Sequence, residues 1–449
     1  MRIILFVFYN IVLFLISPFF IILLTLLVLI KNKRSVGFLD KIFPFAFKRL
    51  RRSGNETGGI WIHAVSLGEL RASVNFIKLL RNRVNEPIYV SVTTKTGFDF
   101  ADSFYKNDKN IYVFYFPYDF HFSIGRILRV IKPSLFISVE TEIWPNLFNM
   151  LGKNNIPVII LNARISDGSY RNYLYFRFFF KYVFEKIDLV LCISEQYRNK
   201  FLNLGVKEEN IHKTGNMKFD LNIIDMAVDM NDKARSLKGI FNKGKIIVAG
   251  STHKGEESLI LNSVAELNES RKDENIFLFI APRHPERFGE VYSLIKNYAK
   301  DHDMNYCRLS SIYSSGYNAD ILKDNKPGTI VILVDMLGEL LAIYGICDVA
   351  FVGGSIVDAG GHNILEPLFF GKPVVFGRHV ENFSEIAGEI IEIKAGKIVE
   401  TPKDVYNALI EYLYNENAIK EANKRGLDLI SQNRGSSLKN LNYIMNYIK

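Results

Sequence analysis

The chain has 449 residues, 48% of them hydrophobic, and a formal net charge of +9. That length exceeds what a single hydrophobic core ordinarily supports, so two domains are expected, with ample apolar side chains to fill both. Three scattered cysteines, Cys192, Cys307 and Cys347, exclude a disulfide framework or a metal knuckle and fit a reducing compartment. The basic balance favours anionic partners: phosphates, an acidic sugar or anionic lipid, with nucleic acid formally allowed on charge alone.

Residues Ile3 to Ile30 run for 28 positions without a charged side chain, which is long enough to cross a bilayer. Lys31, Lys33, Arg34, Lys41, Lys48, Arg49, Arg51 and Arg52 follow, against only Arg2 and the amino terminus before it. The positive-inside bias therefore predicts a single-pass anchor over residues 1–31 with the remainder in the cytoplasm. A cleaved signal peptide fits less well, because the apolar run is too long and the basic residues lie on the wrong side.

From Gly59 onward, short apolar runs alternate with amphipathic stretches, the pattern of doubly wound parallel sheets. Trp61–Val65, Ile88–Thr94, Ile111–Phe116, Leu135–Val139, Val158–Leu161 and Leu189–Ile193 read as strands of a first domain over 32–222. A polar stretch over 222–244 reads as the linker. Lys245–Ala249, Ile276–Ala281, Thr329–Val334, Val349–Val352 and Pro373–Phe376 read as strands of a second domain over 240–430. The pattern is helical from Pro402, and residues 431–449 are expected to pack back on the first domain. Two α/β halves facing a cleft suit an enzyme joining a nucleotide-linked donor to an acceptor, since ligands bind beyond the carboxyl ends of the strands.

Candidate chemical groups sit at those ends. In HAVSLGE, Ser66 and Glu69 have the spacing of a helix cap, and Glu69 is equally placed to take a proton from an acceptor hydroxyl. In VETEIWPN, Glu140 is expected to point into the cleft and Glu142 to cap the helix begun by Trp144 and Pro145. Asn162-Ala163-Arg164 and GNMKFD add cations, of which Lys218 suits an acidic substrate group. In the second half, GSTHKGEE follows a strand with amides and hydroxyls for a phosphate. In PRHPER, Arg283, next to Pro282, offers a planar fork for phosphate or carboxylate. In DMLGEL, Gly338 permits close approach and Glu339 starts a helix. The stretch DVAFVGGSIVDAGGHNILEPLFFGKPVVFG reads as a ligand cradle. Its glycines are expected to leave amides facing outward, and Asn363 and Glu366 project together, a carboxylate suiting a ribose diol. No cluster has metal-ligand spacing, and no nucleic-acid motif occurs.

In order, HAVSLGE, ETEIWPN, NAR, GNMKFD, GSTHKGEE, PRHPER, DMLGEL and FVGGSIVDAGGHNILEP resemble the motifs of the 3-deoxy-D-manno-octulosonic acid (Kdo) transferases of lipopolysaccharide synthesis, from about Trp61 to Phe383. The resemblance implies a GT-B fold, an N-terminal transmembrane helix in the inner membrane, and transfer of Kdo from CMP-Kdo to a lipid A precursor with inversion, without a cofactor. It implies Glu69 as the proton acceptor and Glu140 and Lys218 as transition-state stabilisers. It further implies that Pro282 and Arg283, Leu337, Gly338 and Glu339, and Asn363, Ile364, Leu365 and Glu366 contact CMP. DMLGEL departs from the expected pattern before its Gly-Glu pair, a change that contacts through the backbone survive. Two other readings are a membrane-associated GT-B enzyme using a different nucleotide sugar, and a tethered binding module for anionic ligands.

Overall fold

The computed structural model describes residues 6–17, 41, 58–220, 234–241, 243–315 and 327–448. The chain divides into two compact units, Met1–Leu221 with Asn433–Lys449, and Asn222–Gln432.

The first unit is built on seven parallel strands: β1 (Ile60–Ala64), β2 (Ile88–Val92), β3 (Ile111–Tyr115), β4 (Leu135–Val139), β5 (Val158–Ala163), β6 (Leu189–Cys192) and β7 (Ile211–Lys213). Their order is β3-β2-β1-β4-β5-β6-β7, so the chain reverses direction across the sheet between β1 and β4. That reversal point is where doubly wound sheets bind ligands. Successive residues of β1 enter opposite cores: Trp61 joins one cluster with Phe136 and Phe148, while Ile60 and Ile62 join another with Phe76 and Ile137. Such two-sided burial explains why the central strands read as unbroken apolar runs. Buried Trp61 donates its indole N–H to Ser91 Oγ at 2.8 Å.

The C-terminal helix Ser436–Ile444 belongs to this unit and places Leu441 and Ile444 in the core beside the helix Leu67–Arg81. Asp220 fastens it by accepting from Gly435 N at 2.6 Å and from Ser437 N.

The second unit repeats the plan with β8 (Lys245–Thr252), β9 (Ile276–Pro282), β10 (Asn305–Arg308), β11 (Thr329–Leu333), β12 (Val349–Val352), β13 (Val374–Phe376) and β14 (Gly396–Ile398). The order β10-β11-β9-β8-β12-β13-β14 puts its reversal point between β8 and β12. Sequence reading misses β7, β10 and β14. All three are outermost strands, and their residues Ile-His-Lys, Asn-Tyr-Cys-Arg and Gly-Lys-Ile carry too few apolar side chains to stand out.

Two expectations change here. The helix Pro145–Lys153 is capped by Asp119 and not by Glu142: Asp119 Oδ2 and Oδ1 accept from Asn146 N and Leu147 N, each at 2.9 Å. Asp119 reaches that helix start from the loop between β3 and the helix His121–Ile131, whereas Glu142 feels burial and the charge of Glu140. The expected anchor over residues 1–31 lies for the most part outside the described residues. Of that stretch residues 6–17 are helical, and among the described residues no helix is long and apolar enough to cross a membrane.

Candidate active site

The first cluster of functional side chains sits at the reversal point of the first sheet. Glu69 is the third residue of the helix Leu67–Arg81, and the N-cap Ser66 accepts from Glu69 N at 3.3 Å. The Glu69 carboxylate turns back over the helix start, accepting from Val65 N at 2.6 Å and from the Ser66 hydroxyl at 3.1 Å. Cap and candidate base are thus one residue. Burial raises its pKa to about 7, helped by the negative charges of Glu140 and Glu142 and opposed by the two hydrogen bonds. A carboxylate poised there is a competent proton acceptor at neutral pH.

Glu140 directly follows β4, is only 7% exposed, and holds a left-handed backbone with φ of 59°. A non-glycine residue pays strain for that conformation, and ligand sites are where such strain is retained. Its side chain meets Arg164 Nε at 2.7 Å and Lys218 Nζ at 3.8 Å. Arg164 follows β5, and Lys218 lies in a short turn after β7. Asn162, also left-handed at φ of 55°, joins the two segments by accepting from Met217 N at 2.8 Å, while Asn216 Oδ1 accepts from Lys218 N at 3.0 Å. Burial lowers the Lys218 pKa, and the carboxylates of Glu140 and Glu69 pull it back. Glu142 is pushed up to about 7, first by burial and then by Glu140. The structure therefore brings together Glu69, Glu140 and Lys218, three residues that sequence reading singles out. It adds Arg164 as the tightest partner of Glu140, a pairing that spacing along the chain does not reveal.

In the second unit the reversal point lies between GSTHKGEE, at the end of β8, and FVGGS, at the end of β12. The amides here do not face outward as expected. Glu256, fully buried, takes them: its carboxylate accepts from His253 N and Gly354 N at 2.8 Å and from Ser355 N and Ile356 N at 3.0 Å. A buried anion needs this many donors, so the chain's own carboxylate fills the nest. The hydroxyl of Thr252 is likewise spent on Glu257 Oε1 at 2.9 Å. Gly353 has no room for a side chain, since a Cβ would lie 2.5 Å from Ser251 O and 2.7 Å from Glu256 Oε2.

The groups that remain to meet a ligand are side chains and turns. Pro282 ends β9, and the exposed Arg283 is held to the loop after β8 by its backbone N–H, which donates to Thr252 O at 3.0 Å. Leu337 is 77% exposed, and Gly338, with φ of 86°, has open space where a Cβ would stand. Glu339 is buried, accepts from the Tyr313 hydroxyl at 2.7 Å and sits at the N-cap of the helix Leu340–Ile346. Asn363 Nδ2 donates to Glu366 Oε1 at 3.2 Å, so this pair does share one face, and Asn363 Oδ1 accepts from Leu365 N. Ile364 and Leu365 are fully buried, so their side chains are spent on the core. A cluster that spacing does not show joins Asp358, His379 and Glu381, whose ligand atoms lie within 4.8 Å of one another.

Residues 40–221 match a sequence family described as 3-deoxy-D-manno-octulosonic-acid transferase. A 3-deoxy-D-manno-octulosonic acid transferase of Haemophilus influenzae is 34% identical over 87% of this chain and 87% of its own length. A bifunctional glycosyltransferase/methyltransferase of Fusobacterium nucleatum is 36% identical over 91% of this chain, which spans 61% of that protein. Among solved structures, a UDP-GlcNAc 2-epimerase from Neisseria meningitidis superposes with a TM-score of 0.55 over 87% of this chain and 100% of the epimerase, at 14% identity, a likeness of fold. Identity of this extent, together with the carboxylates and cations gathered at the ends of β1, β4 and β5, places the chain in the 3-deoxy-D-manno-octulosonic acid transferase family of glycosyltransferases.

Proposed function

We propose that the protein transfers Kdo from CMP-Kdo to a lipid A precursor by a single inverting displacement. The observation that carries this reading is the partly buried Glu69 carboxylate, raised to about 7 by burial and by the charge of Glu140. Glu69 takes the proton of the acceptor hydroxyl as its oxygen bonds to the anomeric carbon. The bond from that carbon to the CMP phosphate breaks, and CMP leaves with the electron pair. Glu140 tunes the base through its negative charge, and Lys218 with Arg164 supplies positive charge for an acidic sugar. In the second unit, Arg283 faces the leaving phosphate and the Asn363–Glu366 pair faces the ribose. The test is incubation with CMP-Kdo and a tetra-acylated lipid A precursor. Product masses that rise by whole Kdo units support the assignment, and an unchanged lipid refutes it.

Arg283→Ala is expected to weaken CMP binding by about tenfold to a hundredfold, the loss of one charge-assisted phosphate contact. Unaltered affinity in a direct titration removes Arg283 from the phosphate.

We place the protein at the cytoplasmic face of the inner membrane, anchored through its first 31 residues. The apolar run supports this, as do the exposed Phe122, Tyr175, Phe176 and Phe178 on the first unit. Within the described residues, Phe6 packs edge-on against His121 and Tyr182, and Tyr9 lies against Phe179 and donates to Asp119. The start of the apolar run and the exposed aromatics therefore share one side of this unit, next to Arg177 and Lys181. Deleting Met1 to Ile30 is expected to move most of the protein from the membrane pellet to the supernatant, with the remainder released by salt. Full retention through a salt wash contradicts the anchor.

A further inference from the structure

Two histidines meet across the reversal point of the second sheet. His253, in the loop after β8, and His362, just before Asn363, approach Nε2 to Nε2 at 2.8 Å. Their rings lie 17° from parallel with centroids 5.1 Å apart. The loop between them is built for this contact. A Cβ on Gly354, whose φ is 67°, would stand 2.9 Å from His362 Cδ2 and 3.5 Å from His253 Cδ2, so only glycine lets the rings close. The amides of His253 and Gly354 are both tied to Glu256, and His362 N donates to Gly353 O at 3.2 Å.

An N···N separation of 2.8 Å holds one proton between the rings, because two facing N–H groups would repel. One ring donates through Nε2–H and the other accepts. The pair is then neutral or, with a further proton on the outer Nδ1 of the donating ring, a monocation. A second positive charge is excluded while the contact lasts. Charged and titratable groups reach it from several elements. Glu256 lies below it, at the start of the helix Glu256–Ser270. The ring of His284 stands 5.4 Å from that of His253, from the turn after β9. Arg287, from the same turn, is committed to Glu257 at 2.7 and 3.2 Å. From the loop after β12 the pair is faced by His362's own segment, which carries Asn363. Burial lowers the His253 pKa, opposed by Glu256. The resting pair is therefore biased toward neutral and ready to gain a proton when an anion arrives.

Position supplies the anion. The pair stands between Arg283, whose backbone is pinned to the His253 loop, and Asn363–Glu366, adjacent to His362. We propose that His253 and His362 form a proton-sharing pair that binds the phosphate of the nucleotide and becomes a monocation as it does so, so that donor binding takes up a proton from solvent. This rests on the second unit's site being the one that binds CMP-Kdo. It deepens that reading by adding two binding residues and a proton to the donor step.

The test is calorimetric titration of the full-length protein with CMP at pH 8, in two buffers of different ionisation enthalpy. Wild type is expected to take up about one proton per CMP, and CMP affinity is expected to fall about tenfold for each pH unit above neutrality. His362→Gln and His253→Gln, each able to keep one hydrogen bond, are expected to lose the uptake and to bind CMP about tenfold more weakly. CMP binding by wild type without proton uptake overturns the pair while leaving the donor site intact. Uptake that persists undiminished in both folded variants also overturns it. No CMP binding by wild type overturns the donor-site reading on which the inference stands.

Discussion

Glu69→Gln is expected to lower turnover by about 10²- to 10⁴-fold, the usual weight of a positioned general base, while CMP affinity stays near that of the parent. The same change is expected to stabilise the protein. In the folded state Glu69 titrates at about 7 against an ordinary 4.5, so between those values the folded protein holds more of a proton than the unfolded chain does. Stability then falls as pH rises through that window, and the full cost is present above pH 7. Glutamine removes the cost. A gain on the order of 1 kcal/mol is expected at pH 8, shrinking to nothing below about pH 4.5. Thermal melts of parent and variant at pH 8 and pH 4.5 measure it. A variant that loses activity and stability together at pH 8 points to a cap alone.

Glu140→Gln carries the second large effect. After burial, its negative charge is the largest influence raising the Glu69 pKa, so its removal is expected to lower that pKa and, with it, the maximal rate by about 10- to 100-fold. It also leaves Arg164 and Lys218 without the carboxylate between them. A loss of about 2 kcal/mol is expected, less than for a fully buried pair because the Arg164 side chain is 30% exposed. The signature is the displaced pH dependence and not the rate loss, which a misfolded variant would share. An unmoved acid limb in the folded variant contradicts the tuning role.

How much of this was legible in the sequence follows from where each partner lies along the chain. Buried central strands announce themselves as apolar runs, so β1, β4, β8 and β12 are readable, whereas their order, and with it the two reversal points, is set by pairings between distant strands. The outermost strands β7, β10 and β14 carry a side facing solvent, and their composition resembles loop. Motif spacing placed Ser66 and Glu69 correctly because a cap is a local device. It placed the wrong cap on the helix Pro145–Lys153, because Asp119 reaches that helix from 27 residues upstream. The glycine loop was read as a bare phosphate cradle for the same reason. Its true occupant, Glu256, lies 98 residues before Gly354, and no local pattern marks a carboxylate that answers to backbone amides that far away. The histidine pair spans 109 residues.

These long-range partners also reduce what the clustered charges cost the fold. Several buried carboxylates draw donors from distant parts of the chain: two cations for Glu140, four amides for Glu256, two amides for Asp119. Glu69 differs: its donors, Val65 N and the Ser66 hydroxyl, are local, and two carboxylates neighbour it, so it holds its proton to about pH 7, as Glu142 does.

That distinction is tested most directly by the pH dependence of kcat/KM for Kdo transfer to the lipid A precursor. The acid limb of the parent enzyme is expected to be half-maximal near pH 7, and the residual activity of Glu69→Gln is expected to lack that limb. A parent profile that stays flat down to pH 5, or an acid limb that survives unchanged in Glu69→Gln, contradicts Glu69 as the base.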